Sequence, residues 1–196
     1  MLYLIIIAVS VVLITGANLL LTLPITLSDL GYTAFSVILG AVAVFAIDGV
    51  LALVIRRLTP KRWYAPSVKL FRVSKRERNL YRTLKIKSWK DKVPELGGFT
   101  DFHKNKLESN SDSAYLERFI VEANYGVAIH LANAILGFLI LFIPFCATPT
   151  VWIPIFAVNF VLSLLPVAVL RYTLYTLFNL YDRCQKHQSK QRRDTL

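Results

Sequence analysis

Three ionisable residues, Asp48, Glu122 and His130, stand in stretches that are otherwise apolar. A carboxylate beside an imidazole is the pairing that suits histidine to general-base work. The ring takes a proton from an attacking hydroxyl, and the carboxylate orients the ring and stabilises its cationic form. Glu122, Gly126, His130, Asn133 and Gly137 recur at steps of four, four, three and four, which puts them on one face of a helix. Ser36, Gly40 and Asp48 form a similar stripe, and Ser10 with Asn18 and Asn159 with Ser163 mark two further segments. Along straight helices, Asp48 lies about 12 Å beyond Arg56, Glu122 about 6 Å beyond Arg118 and His130 about 18 Å beyond Arg118. Asp48 thus falls between the levels of the other two. Asp48, Glu122 and His130 are the catalytic candidates; the structural alternative is a hydrogen-bond cluster that fixes helix packing.

A second constellation is the polar block Ser88-Trp89-Lys90-Asp91-Lys92-Val93-Pro94-Glu95-Leu96-Gly97-Gly98. Pro94 disfavours helix at Val93, and Gly97-Gly98 opens conformations that a β-carbon hinders, so a shaped turn is expected. An indole at a membrane surface has an apolar body and one hydrogen-bond donor, which suits Trp89 to such a place. The block reads as an interfacial cap that positions a donor or headgroup over chemistry deeper in. Trp89, Lys90, Asp91, Glu95, Arg82 and Asn133 are the substrate-contact candidates, with a purely structural clamp as the alternative. His103 and Glu108 have a His-x4-acid spacing, a short pattern that recurs by chance, and His187 belongs to a charged tail.

The elements that must position these residues are membrane spans. Hydrophobic residues make up 55% of the 196 and charged residues only 18%, below the roughly 25% of soluble domains. Residues 56–118 carry 17 Lys/Arg against 7 Asp/Glu and residues 171–196 carry 6 against 2, while the rest of the chain has no Lys or Arg. Four runs, residues 2–23, 32–55, 119–145 and 151–170, each reach the roughly 20 residues that a bilayer core requires. The first lacks the basic start and small-residue cleavage site of a signal peptide. The positive-inside rule places both basic stretches, and with them both termini, in the cytoplasm. The expected fold is all-α: an integral membrane four-helix bundle with a cytoplasmic basic loop containing a short interfacial helix. It divides into residues 1–55 (helices 1 and 2), 56–118 (interfacial segment), 119–170 (helices 3 and 4) and 171–196 (basic tail).

The interfacial helix is read from Ser74-Lys75-Arg76-Glu77, which has the capping-box spacing: the Ser oxygen and the Glu carboxylate each satisfy an orphan amide. Leu80, Tyr81 and Leu84 give it an apolar face, and Arg76, Arg78, Arg82 and Lys85 a basic one suited to anionic headgroups or an anionic ligand. Basic charge beside apolar spans favours lipid over nucleic acid, and no nucleic-acid module is present. Cys146 and Cys184 fall on opposite sides of the expected topology and belong to no metal-spaced cluster, so no metal is expected. Walker, Rossmann and serine-hydrolase signatures are absent. Four short-looped helices without an internal repeat argue against a transporter, unless several copies enclose a pathway.

Phe71-Arg72-Val73-Ser74, Glu77, Tyr81, Leu84-Lys85-Ile86-Lys87, Trp89-Lys90-Asp91, Pro94-Glu95, Gly97-Gly98, Tyr115-Leu116-Glu117-Arg118-Phe119, Glu122 and His130 form a composite motif. In these residues the chain resembles the glycosyl-4,4'-diaponeurosporenoate acyltransferases, small integral membrane proteins of the last step of staphyloxanthin-type carotenoid synthesis. The resemblance implies transfer of a fatty acyl group to a hydroxyl of a glycolipid or glycosylated isoprenoid, such as a glycosyl carotenoid, in a bacterial plasma membrane. No cofactor is expected. The donor would be acyl-CoA, whose phosphates suit Lys90, Lys92, Arg82 or Lys104, or another acyl carrier. The expected partners are membrane lipids and a lipid-linked acceptor, with a homo-oligomer as an open option. A nonenzymatic membrane scaffold or lipid-binding protein, recruiting a partner through its basic loop, is the alternative.

Overall fold

The computed structural model describes residues 2–21, 26–93 and 113–194, and among these the chain is all-α with no strand. The helices are α1 (Leu2–Leu21), α2 (Leu27–Leu58), α3 (Lys75–Thr83), α4 (Ile86–Trp89), α5 (Ser113–Leu136) and α6 (Pro149–Asp194). Short 3-10 turns lie at Lys61–Tyr64, Lys69–Phe71, Lys90–Lys92, Gly137–Phe142 and Pro144–Cys146. Four stretches are long and apolar enough to cross a membrane: Leu4–Leu21, Leu27–Leu58, Ser113–Phe142 and Pro149–Gln191. Apolar side chains cover their outer surfaces, as at Leu4, Val12, Leu13 and Leu20 of α1, all well exposed. Water does not favour such a surface, and lipid tails do.

The chain packs as two units, the first made of Met1–Ile55 and Ile129–Leu165, the second of Arg56–Ala128 and Pro166–Leu196. In the first unit, Ile14 of α1, Val37 and Val44 of α2, Ile140 of the 3-10 turn, and Val151 and Ile155 of α6 form a buried cluster. Polar side chains join its helices. Asn18 donates to the Ile14 and Thr150 carbonyls, each at 2.9 Å, and accepts from the Thr150 hydroxyl. The Cys146 thiol, fully buried, donates to the Ser36 carbonyl at 3.5 Å. Gly40 faces the Ile155 side chain and Cys146 Sγ at a separation where a β-carbon would collide with Ile155.

The third apolar run does not remain one α-helix. α5 ends at Leu136 and the chain tightens into 3-10 geometry through Phe142. Near that change the Asn159 side chain of α6 donates to the Asn133 carbonyl at 3.2 Å. The Asn159 amide sits where a β-carbon on Gly137 would stand, so any larger residue there would have to displace Asn159.

In the second unit, Leu116, Phe119, Ile120, Ala123 and Val127 of α5 are buried at helical spacing, as are Val167, Leu170, Leu174, Leu177 and Phe178 of α6. α6 does not stop at the basic residues 171–196 but continues as helix to Asp194. Arg, Lys and Gln are good helix formers, so the change from apolar to basic composition is no signal to end a helix. The segment after α2 closes on an aromatic clasp. Tyr64 stacks on Tyr125 at 3.9 Å between ring centres, Asn124 donates to the Tyr64 carbonyl at 2.8 Å, and the Tyr125 hydroxyl donates to the Thr59 carbonyl at 3.1 Å.

Candidate active site

Of the three catalytic candidates, Asp48 on α2 and His130 on α5 come together. Asp48 Oδ1 lies 4.0 Å from His130 Nδ1, and each side chain is 20% exposed. Asp48 Oδ1 is itself buried and makes no hydrogen bond. That is an expensive state for a carboxylate oxygen among apolar helices, and such an orphan calls for an explanation. Hydrogen bonds that serve catalysis are often long in an empty site and shorten when substrate binds.

One turn beyond His130 on the same helix, Asn133 is 4% exposed. Its amide donates to Ser163 Oγ at 3.0 Å and Asn159 Oδ1 at 3.3 Å, while its own Oδ1 is buried without a hydrogen bond. The polar stripes of α5 and α6 therefore meet face to face. The helix stripe expected from the sequence is a polar seam, and Asn133 spends its donors within it.

Glu122 has another partner. Its carboxylate accepts from Arg56 at 2.9 Å, and the same guanidinium lies 5.5 Å from the centre of the Tyr125 ring. This ion pair joins the last turn of α2 to α5 beside the Tyr64–Tyr125 stack. No sequence pattern pointed to Arg56, which lies 66 residues away.

Ser74 Oγ accepts the Glu77 amide at 3.1 Å, as expected, and the Ser74 amide acts in return on the Glu77 carboxylate. It is gripped by Arg171 of α6 through Nε and through Nη2 at 2.7 Å, and it accepts from the Tyr81 hydroxyl at 2.7 Å. The Arg171 guanidinium holds the Glu77 carboxyl below its usual range against the opposing effect of burial, with Tyr81 and the Ser74 amide bond assisting. Burial, and then the neighbouring Glu77 carboxylate, push the Tyr81 phenol up to about 12. Arg72 makes a second fork, to Asp182 at 2.6 and 2.9 Å, and lies over the Phe178 ring.

The substrate-contact candidates around α3 and α4 are placed as follows. Trp89 donates its indole N–H to the Leu84 carbonyl at 3.0 Å, closing the corner between α3 and α4, where Lys85 takes a left-handed conformation with φ 50°. Lys90 and Asp91 are neighbours at 3.5 Å with Asp91 well exposed, and Arg82 is exposed. Glu95, the Pro94–Gly98 turn, Lys104, and the His103–Glu108 pair lie outside the described residues. Among the described residues, no group of three or more His, Cys, Asp or Glu side chains is placed to hold a metal ion, and Cys146 and Cys184 are free thiols.

The Arg72, Glu77, Tyr81 and Trp89 contacts lie within the second unit, whereas His130 of the composite motif belongs to the first and Pro94–Gly98 lies outside the described residues. The family model for glycosyl-4,4'-diaponeurosporenoate acyltransferase matches residues 60–183, well over half of the chain. The chain belongs to that family. No curated protein and no solved structure matches it. As a member of the glycosyl-4,4'-diaponeurosporenoate acyltransferase family it is an acyltransferase, and the matched range takes in Glu122, His130, Asn133 and the Glu77–Arg171 pair, while Asp48 and Arg56 lie before it.

Proposed function

We propose that the protein is a membrane-embedded enzyme that moves a fatty acyl group to a hydroxyl of a glycolipid or glycosylated isoprenoid, with His130 as general base. The observation that carries this reading is the Asp48–His130 pair, a buried carboxylate oxygen without a hydrogen bond facing an imidazole among apolar helices. His130 Nδ1 is turned to Asp48, and Nε2 takes the proton of the acceptor hydroxyl. The hydroxyl oxygen then attacks the acyl carbonyl carbon, and the tetrahedral adduct collapses with loss of the donor's leaving group. His130 returns its proton to that group, and Asp48 stabilises the imidazolium between the two steps. Asp48 is preferred to Glu122 in this role because Glu122 is held by Arg56.

The four apolar stretches span the bacterial plasma membrane in this reading, with both termini and the basic segment on the cytoplasmic side. The donor is acyl-CoA or another acyl carrier delivered from that side. Purified protein with labelled acyl donor and a lipid extract tests the assignment. His130→Ala should lower turnover by about 10²- to 10⁴-fold, the usual contribution of a general base, and Asp48→Asn should lose activity while keeping the fold. Normal turnover by folded His130→Ala would sink the role given to His130.

A further inference from the structure

Apart from Arg82, a candidate for the donor's phosphates, the outer side of α3 has no counterpart in the chemistry above. The inner side is fixed to α6: Glu77 and Tyr81 meet Arg171, and the Arg78 guanidinium lies 4.3 Å from the centre of the Tyr175 ring. The apolar face expected from the sequence is therefore divided. Tyr81 turns inward, while Leu80 and Leu84, one turn apart, are 55% and 53% exposed. With α3 held to α6 at Glu77 and Arg78, these leucines face outward.

Their neighbours are basic. Arg76, Arg82, Lys85 and Lys87 are all exposed, and residues 56–87 hold 12 Lys/Arg against one acid, Glu77. Among the described residues of the second unit, the exposed large apolar ones, Leu58, Trp63, Leu70, Leu80 and Leu84, all fall within this stretch. Each lies within three residues of a base. The stretch also follows directly from α2, whose last turn carries Arg56 and Arg57, so the chain enters it from the end of an apolar helix. Leucines that reach into acyl chains, beside cations that reach phosphate headgroups, are the two halves of an interfacial anchor.

We infer that the outer flank of α3, Leu80 and Leu84 between Arg76, Arg82 and Lys87, docks into the surface of a bilayer rich in anionic lipid. This inference rests on the membrane placement of the four apolar helices but not on the acyl-transfer chemistry. Lipid composition would then set how firmly the second unit is held at the interface.

The test uses the full chain with Cys146 and Cys184 replaced by serine and an environment-sensitive fluorophore on Leu80→Cys, reconstituted in lipid nanodiscs. Zwitterionic discs are compared with discs holding about one-third anionic lipid. The expected result is a several-fold gain in emission with a blue shift in the anionic discs. It should be largely lost in about 1 M salt, where the screening length falls to about 3 Å, and in Arg76→Gln/Arg82→Gln/Lys87→Gln. A Val9→Cys label on α1 should report hydrocarbon in both discs. If it does and the Leu80 label reads the same in both, the proposal is overturned while the membrane placement stands. If the Val9 label reports water, both fall together. A Leu80 label that responds to an added polyanion such as RNA or an acidic polypeptide, and not to anionic lipid, assigns the flank to a soluble partner and overturns the proposal.

Discussion

Arg171→Ala isolates the contact that holds α3 to α6. In the native protein Glu77 accepts from both Arg171 Nε and Nη2 and from Tyr81, with the Arg171 and Glu77 side chains 16% and 24% exposed. A fully exposed pair is worth about 0–1 kcal/mol, and hydrogen bonds to charged groups about 1.5–3 kcal/mol. The fork lies between these cases, and since Tyr81 still satisfies one Glu77 oxygen in the variant, the loss should be about 2 kcal/mol. At 1.4 kcal/mol per factor of ten, the α3 amides should then exchange with solvent about 30-fold faster. Amides elsewhere, such as those around Ile14 and Val37, should be unaffected. A double-mutant cycle with Glu77→Gln and Arg171→Met should give a coupling of about 1–3 kcal/mol. The pH dependence has a fixed sign. Because the folded carboxyl of Glu77 is depressed, its contribution is complete above the ordinary carboxylate range and is lost as pH falls through the folded value. Acidification should therefore loosen α3 in the wild type, and much less in Glu77→Gln. Unchanged α3 exchange in Arg171→Ala, or additive single mutants, would refute the reasoning.

Gly137→Ala should place a methyl group against the Asn159 amide and break its bond to the Asn133 carbonyl. A loss of about 1–3 kcal/mol is expected from the buried groups left unpaired, read as a lower unfolding midpoint in detergent. An ultraviolet titration should find the Tyr81 phenolate appearing near pH 12, with Tyr81→Phe removing that step. Because the folded phenol ionises later than the unfolded one, its stabilising contribution should decline as pH rises from the ordinary tyrosine range toward that value.

The apolar runs and the polar stripes were legible in the sequence because each is a local periodicity, and the structure realises them in α1, α2, α5 and α6. Asn133, Asn159 and Ser163 meet because small and polar residues on apolar helices have nowhere better to turn than toward each other. The long-range partners were not legible. Glu77 fits a four-residue capping pattern, and nothing in that pattern reveals an arginine 94 residues later that offers two charge-assisted bonds. Glu122 shares a helical face with His130 in the sequence, yet Arg56 is its partner. The end of α5 was hidden because the apolar composition continues unbroken through Phe145.

The Asn159–Asn133 bond also bears on the order of synthesis. One turn past His130, the Asn133 carbonyl accepts from a side chain 26 residues further along the chain. At about 5–20 residues per second, Asn133 is synthesised a second or more before Asn159. Until α6 enters, the Asn133 carbonyl has no Asn159 amide to meet, so the bond that ties the helix of His130 to α6 forms only after the last apolar helix is in place. A chain truncated before Asn159 would keep His130 and lose that tie.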